Sequence, residues 1–186
     1  MRKNLLSLLM FSSLSAFADD SAHLTEARKV ASSVPPKLLA VLSEEIAKGG
    51  PESAIAVCRE KAPQLAKAAS EQSGWAVRRV SLRPRNPKAA PDSWERAALE
   101  DFDRRAASGE NPASIEKGEL VNEAGRPEYR YMKALPVQSL CIACHGASEQ
   151  LKPDVKLQLQ TLYPADQGVG YSIGQIRGAM TLRKAM

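Results

Sequence analysis

Apolar positions in the first third of the chain recur every three or four residues, which is the spacing of a helix with one buried face. From Ser21 to Ser33 they fall near Leu24, Ala27, Val30 and Ala31, predicting an amphipathic helix. Pro35-Pro36 is expected to interrupt it, and Leu38, Leu39, Val41, Leu42 and Ile46 resume the pattern between Lys37 and Lys48. Gly49-Gly50 then stops the helix, and Pro51 suits the first turn of another. That helix runs to about Ser70 on a stripe of Ile55, Cys58, Ala62, Leu65 and Ala69, with a kink expected at Pro63.

Beyond Gly74 the pattern shortens. Trp75, Val77, Val80 and Leu82 predict a strand that also carries Arg78, Arg79 and Arg83. Pro84, Pro87 and Pro91 impose an extended connection. Asp92 or Ser93 is placed to cap a helix from Trp94 to about Ala107, ended by Gly109. Two short strands, Glu119 to Glu123 and Glu128 to Ala134, flank the turn signal Ala124-Gly125-Arg126-Pro127. A helix from Ser148 to Leu162 follows, then a loop holding Tyr163-Pro164, Gly168, Gly170 and Gly174, and a last strand from Gly178 to Leu182. Helices first, then short antiparallel strands with helices between them, indicate the α+β class.

The N-terminus changes the picture by setting the compartment. Arg2 and Lys3 precede the apolar run Leu5 to Phe17, and Ala16-Phe17-Ala18 is a small-x-small cleavage site. This predicts a secretory signal at residues 1–18, with residues 19–186 as a single exported domain. The apolar run of about 13 residues is shorter than the roughly 20 that span a bilayer. We therefore expect no membrane span and a periplasmic location. Removing Arg2 and Lys3 lowers the formal charge from +5 to +3, so the basic balance gives weak support to nucleic-acid binding and none is expected. Aromatic residues make up only 5% of the chain, leaving room for a bound apolar group to complete the core.

Cys141-Ile142-Ala143-Cys144-His145 supplies such a group. Two thiols three positions apart with a histidine directly after the second form the attachment sequence for one covalent haem c. Cys141 and Cys144 would form thioethers with the two vinyl groups, and His145 would be the proximal iron ligand. A structural zinc site requires four ligands, and a second Cys pair is missing from a chain with three cysteines and two histidines. A thioredoxin-type pair needs no adjacent histidine and usually follows a strand in a βαβ unit.

Cys58 is then left over. Its place on the stripe with Ile55 and Leu65 suits a buried small hydrophobe, and a thiol in an oxidising compartment also suits a metal ligand. Competing ligands are His23 near the mature terminus, Met132 in a predicted strand, and Met180 and Met186 near the C-terminus. The arginines likewise have two readings. Arg78, Arg79, Arg83 and Arg85 form a solvated strand edge, or Arg83 and Arg85 pair with haem propionates. Trp94 and Tyr171 read as packing residues, and Asp166 as a turn or cap residue.

Several short motifs in order carry a resemblance. They are Ala54 to Cys58 followed by Ala62-Pro63, Val80 to Pro87, Pro91-Asp92-Ser93-Trp94-Glu95, Cys141 to Gly146, and Tyr163-Pro164-Ala165-Asp166 to Gly170-Tyr171. Together they resemble a family of small exported bacterial and cyanobacterial c-type haem proteins with a PAS-like fold and unknown function. The resemblance runs from about residue 54 to 182 and implies a PAS-like sheet, His145 as the proximal ligand and Cys58 as the distal one.

A thiolate ligand stabilises ferric iron, so the implied centre has a low potential, and two strong axial ligands leave no open position for a substrate. We expect a single-electron carrier in the periplasm, working with an unidentified redox partner protein, rather than an enzyme. The alternative is a redox or gas sensor for carbon monoxide or nitric oxide. No output domain is expected beyond residue 186, so a sensor would pass its signal to another protein. The sequence leaves the oligomeric state open.

Overall fold

The computed structural model describes residues 13–123 and 125–186, with only the backbone described for residues 13–19 and Glu123. Most of the expected signal segment, residues 1–12, and Ala124 of the predicted turn lie outside the described residues.

The chain begins with α1 (Ser13–Ser73), divided by Gly50 at φ 78° into two limbs, 13–49 and 51–73. Gly50 is where helical geometry fails, as Gly49-Gly50 predicted, because a residue with positive φ leaves the right-handed helix. The expected interruption at Pro35-Pro36 does not occur, and the backbone also stays helical through Pro63. Packing supplies the reason for the first: Ala27, Ala31 and Val34 are buried in one cluster with Trp75, Tyr129, Tyr131 and Leu182. That burial offsets the hydrogen bonds the prolines remove. Leu65 and Ala69 of the second limb pack against the same cluster, so the limbs fold back on each other.

Four antiparallel strands follow in the order β1-β4-β3-β2: β1 (Ala76–Val80), β2 (Glu116–Glu123), β3 (Arg126–Pro136) and β4 (Ile176–Ala185). The hairpin strands and β4 are longer than their hydrophobic patterns suggested, because polar residues at their ends continue the ladder. Successive side chains of a strand point to opposite faces. Val77 accordingly joins the α1 cluster, and Val80 joins a second cluster under α2 (Ser93–Ala107) with Ala98, Leu99 and Phe102. The sheet is thus covered on both faces, by α1 on one and α2 on the other.

Asp92, one of the two predicted caps, begins α2. Its side chain accepts from Glu95 N at 2.8 Å, and Glu95 returns a bond to Asp92 N at 2.9 Å. Glu95 is fully buried and also accepts from Thr181 Oγ1 at 3.0 Å, while pairing with Arg78 of β1. Arg130 and Arg183 pair with Asp92. This network ties α2 to three strands around the buried Glu95 and Arg130.

The last third holds α3 (Ile142–His145) and α4 (Pro153–Leu162). Pro153 starts α4 later than the expected Ser148, which lies instead in a short 3-10 turn. Val155 and Leu159 of α4 form a third cluster with Ile55 of α1, and Cys144, Tyr163 and Val169 pack at its margin.

Candidate functional site

Cys141, Cys144 and His145 lie at one end of the sheet. Cys141 closes a 3-10 turn that runs directly into α3, so one turn of helix presents both thiols and the imidazole. All three cysteines are free and partly buried. A loop between α4 and β4 straps α3 in place: Tyr171 N donates to His145 O at 2.9 Å, and Gly170 N to Gly146 O at 2.7 Å.

That loop also fixes the imidazole. His145 Nδ1 lies 2.6 Å from the carbonyl oxygen of Gly168, and a carbonyl only accepts, so Nδ1 carries the proton. Nε2 is left with its lone pair. Burial holds the His145 pKa well below its ordinary value, reinforced by the positive charges of Arg85, Arg177 and Arg79. The ring is therefore neutral at pH 7, the state in which imidazole binds a metal. Asp166 shapes the strap by accepting from Gly168 N at 2.6 Å, the turn role expected of it.

The second limb of α1 brings up Cys58. Cys58 is within electrostatic reach of Cys144, Arg79 and Tyr163, and Cys144 itself lies 3.8 Å from the carbonyl of Pro51. Burial pushes the Cys144 thiol pKa up and that of Tyr163 to about 12, so both are protonated at neutral pH. The thiols, His145 and the apolar edge formed by Ile55, Leu159 and Tyr163 thus belong to one locality. Among the described residues no group of three or more His, Cys, Asp or Glu side chains comes together as a metal-ion site.

The other sulfur and imidazole candidates sit elsewhere. Met132 and Met180 are buried in the clusters under α2 and α1 respectively, and Met186 is exposed at the C-terminus. The His23 ring packs against Tyr129 and Trp75, with centroids 5.4 and 6.5 Å away.

Arginines surround the site. Arg85 pairs with Asp166 at 2.9 Å and donates to Cys144 O at 2.5 Å, joining the loop after β1 to α3 and the strap. The Arg83 guanidinium stacks 4.3 Å above the Tyr171 ring and donates to the carbonyls of Gln167 and Val169. Arg78 points to the opposite face and pairs with Glu95, as alternation requires. Trp94 also lies away from the site, donating to Glu119 at 2.6 Å beneath the Arg130 guanidinium.

Arg177 is a site residue that the sequence pattern did not reveal. Ala134 pairs with Ala179 and Pro136 with Ile176, so two steps on β3 match three on β4. The extra residue is a bulge that turns Arg177 away from α2 and toward α3. There it donates to Ser81 Oγ at 2.8 Å and Arg83 O at 3.1 Å; its Nε–H also faces His145 Nδ1 at 3.1 Å, but the shorter contact to Gly168 O keeps the proton on Nδ1 and leaves Arg177 no lone pair there. Burial, with Arg79 nearby, pushes its pKa down to about 9. Gly178, which the sequence pattern placed at the start of the strand, lies inside it, beside this bulge.

Among the described residues no helix is long and apolar enough to cross a membrane. No curated protein matches the chain significantly. The chain is similar in structure to the cyanobacterial haem protein Tll0287, with a TM-score of 0.61 and 24% identity over 94% of this chain and 98% of that one. At that identity the likeness carries the fold. The family model named Tll0287-like matches residues 13–184, nearly the whole chain, and the protein therefore belongs to the Tll0287-like family.

Proposed function

We propose that the protein is an exported haem c protein with a PAS-like sheet that transfers single electrons in the periplasm. The observation that carries this reading is the His145 Nδ1 contact with Gly168 O at 2.6 Å, which leaves Nε2 for iron on the same helical turn as two free thiols. The structural neighbour Tll0287 is a haem protein, which agrees with it. The donor set fits the group: two thiols for the vinyls, a neutral imidazole, a third thiol, and an apolar margin from Ile55, Leu159 and Tyr163.

In this reading Cys141 and Cys144 would hold the macrocycle covalently, and His145 and Cys58 would ligate its iron. The bound haem supplies one-electron redox chemistry. The protein's residues set its character. Cys58 donates charge that favours ferric iron and hence a low potential. Gly168 fixes the tautomer and plane of His145, and Arg85 and Asp166 hold the strap that carries Gly168. Arg79, Arg85 and Arg177 make the cleft electropositive, which favours an anionic sulfur ligand and carboxylates.

The test is a redox titration of the purified mature protein under argon and under carbon monoxide. A low potential with no carbon monoxide adduct, and fast electron exchange with a soluble cytochrome, supports a carrier. Rapid adduct formation on reduction contradicts it and favours a gas sensor.

A further inference from the structure

Arg79 stands apart from the other arginines of the site. Alternation along β1 turns it to the same face as Val77 and Ser81, toward α1 and α3. Opposite it on β4 is Met180, an apolar core residue that offers no counter-charge. Arg83, Arg85 and Arg177 all have acceptors: carbonyls, Asp166 or Ser81 Oγ. Among the described residues Arg79 has neither a hydrogen bond nor an ion pair.

Its surroundings sharpen the anomaly. The Arg79 side chain is half-buried, and burial is the main influence pushing its pKa down, with Arg85 adding like-charge repulsion. Cys58 and Cys141 are both within electrostatic reach of it, which puts Arg79 on the side of the thiols. Asp166 is already bound to Arg85 and Gly168 N, and Glu52, the carboxylate that acts on Cys144, makes no ion pair with Arg79. Arg79 is therefore a planar, five-donor cation that pairs with no carboxylate among the described residues. Guanidinium geometry matches a carboxylate in bidentate fashion.

We propose that Arg79 is the carboxylate-recognition residue of this cleft and pairs with a haem propionate. The inference rests on the haem reading above and deepens it, assigning to Arg79 the role that the sequence suggested for Arg83 and Arg85. Those two residues position the strap and α3 through their carbonyl and Asp166 contacts. Arg79 orients the macrocycle at its acidic edge, while Cys141 and Cys144 fix it at the vinyl edge.

The test is resonance Raman spectroscopy of the propionate bending band in the purified wild type, Arg79→Gln, Arg79→Lys and an exposed control, Arg96→Gln. The expected result is a displaced band in Arg79→Gln, a smaller displacement in Arg79→Lys, and none in Arg96→Gln. The reduction potential should fall in Arg79→Gln and stay near wild type in Arg79→Lys. An unmoved band in Arg79→Gln, with haem still covalently attached, overturns the Arg79 assignment alone. If Arg79→Gln does not mature, Arg79→Lys decides: a band identical to wild type overturns the assignment. Absence of haem after acid–acetone extraction of the wild type instead overturns the haem reading itself.

Discussion

The Nδ1–H of His145 donates to the carbonyl oxygen of Gly168 across 2.6 Å, linking a helix that carries two thiols to a loop 23 residues further along the chain. That bond sets the tautomer, and the same glycine is wedged against the Arg177 guanidinium, where an added Cβ would have no room. Arg177 cannot readily withdraw, since Ser81 Oγ and Arg83 O hold it. Gly168→Ala is therefore expected to cost about 1–3 kcal/mol by overpacking, read as a lower urea midpoint. Because the imidazole must reorient with the carbonyl, the ferric EPR g-values should shift in the same variant.

Two other glycines separate strain from collision. A Cβ on Gly178 would collide with the carbonyl oxygen of Val80, backbone of the paired strand, at a φ of 152°. Gly74 has a φ of 73° with open space around it. Gly74→Ala should lose about 1–2 kcal/mol from the left-handed conformation alone. Gly178→Ala should lose more, about 3 kcal/mol or beyond, because the sheet itself must move. Paired urea melts of the two variants check the order.

Asp92 provides a pH-dependent prediction. Burial acts to raise its pKa, but the bond from Glu95 N and the charges of Arg130 and Arg183 outweigh this and hold it below its ordinary value. A lowered folded pKa means that the stabilisation is complete above the unfolded value and disappears as pH falls through the folded value. Asp92→Asn keeps the cap and removes the charge. It should cost about 1–2 kcal/mol at pH 7, allowing for solvent screening of a one-third exposed side chain. The gap from wild type should close as pH drops below about 4. Urea melts at pH 7 and pH 3 measure it.

Much of this architecture was legible because local signals agreed with tertiary packing. The Gly49-Gly50 break, the cap at Asp92 and the hairpin around Gly125 each have one cause, confined to a few residues. Pro35-Pro36 misled because a helix limb with Ala27, Ala31 and Val34 buried on a sheet tolerates prolines that would break an isolated helix. The pentapeptide Cys141 to His145 was visible as a motif, whereas its supporting residues were not. Arg177 reaches the site through a one-residue register shift between β3 and β4, and simple alternation would have aimed it at α2. Gly168 matters through its backbone carbonyl, which no side-chain pattern reveals. Arg79 looked like one charge among several on a strand edge, and only the engagement of its neighbours Arg78, Arg83 and Arg85 elsewhere distinguishes it.

The central claim is a haem c with His145 and Cys58 as its axial pair, and ferric EPR of the mature wild type beside Cys58→Ala tests it most directly. The account predicts a low-spin, thiolate-type signal in the wild type. In Cys58→Ala that signal should be lost and the absorption spectrum altered, with haem still covalently attached. Identical spectra for the two proteins would contradict it and assign the distal position to another residue.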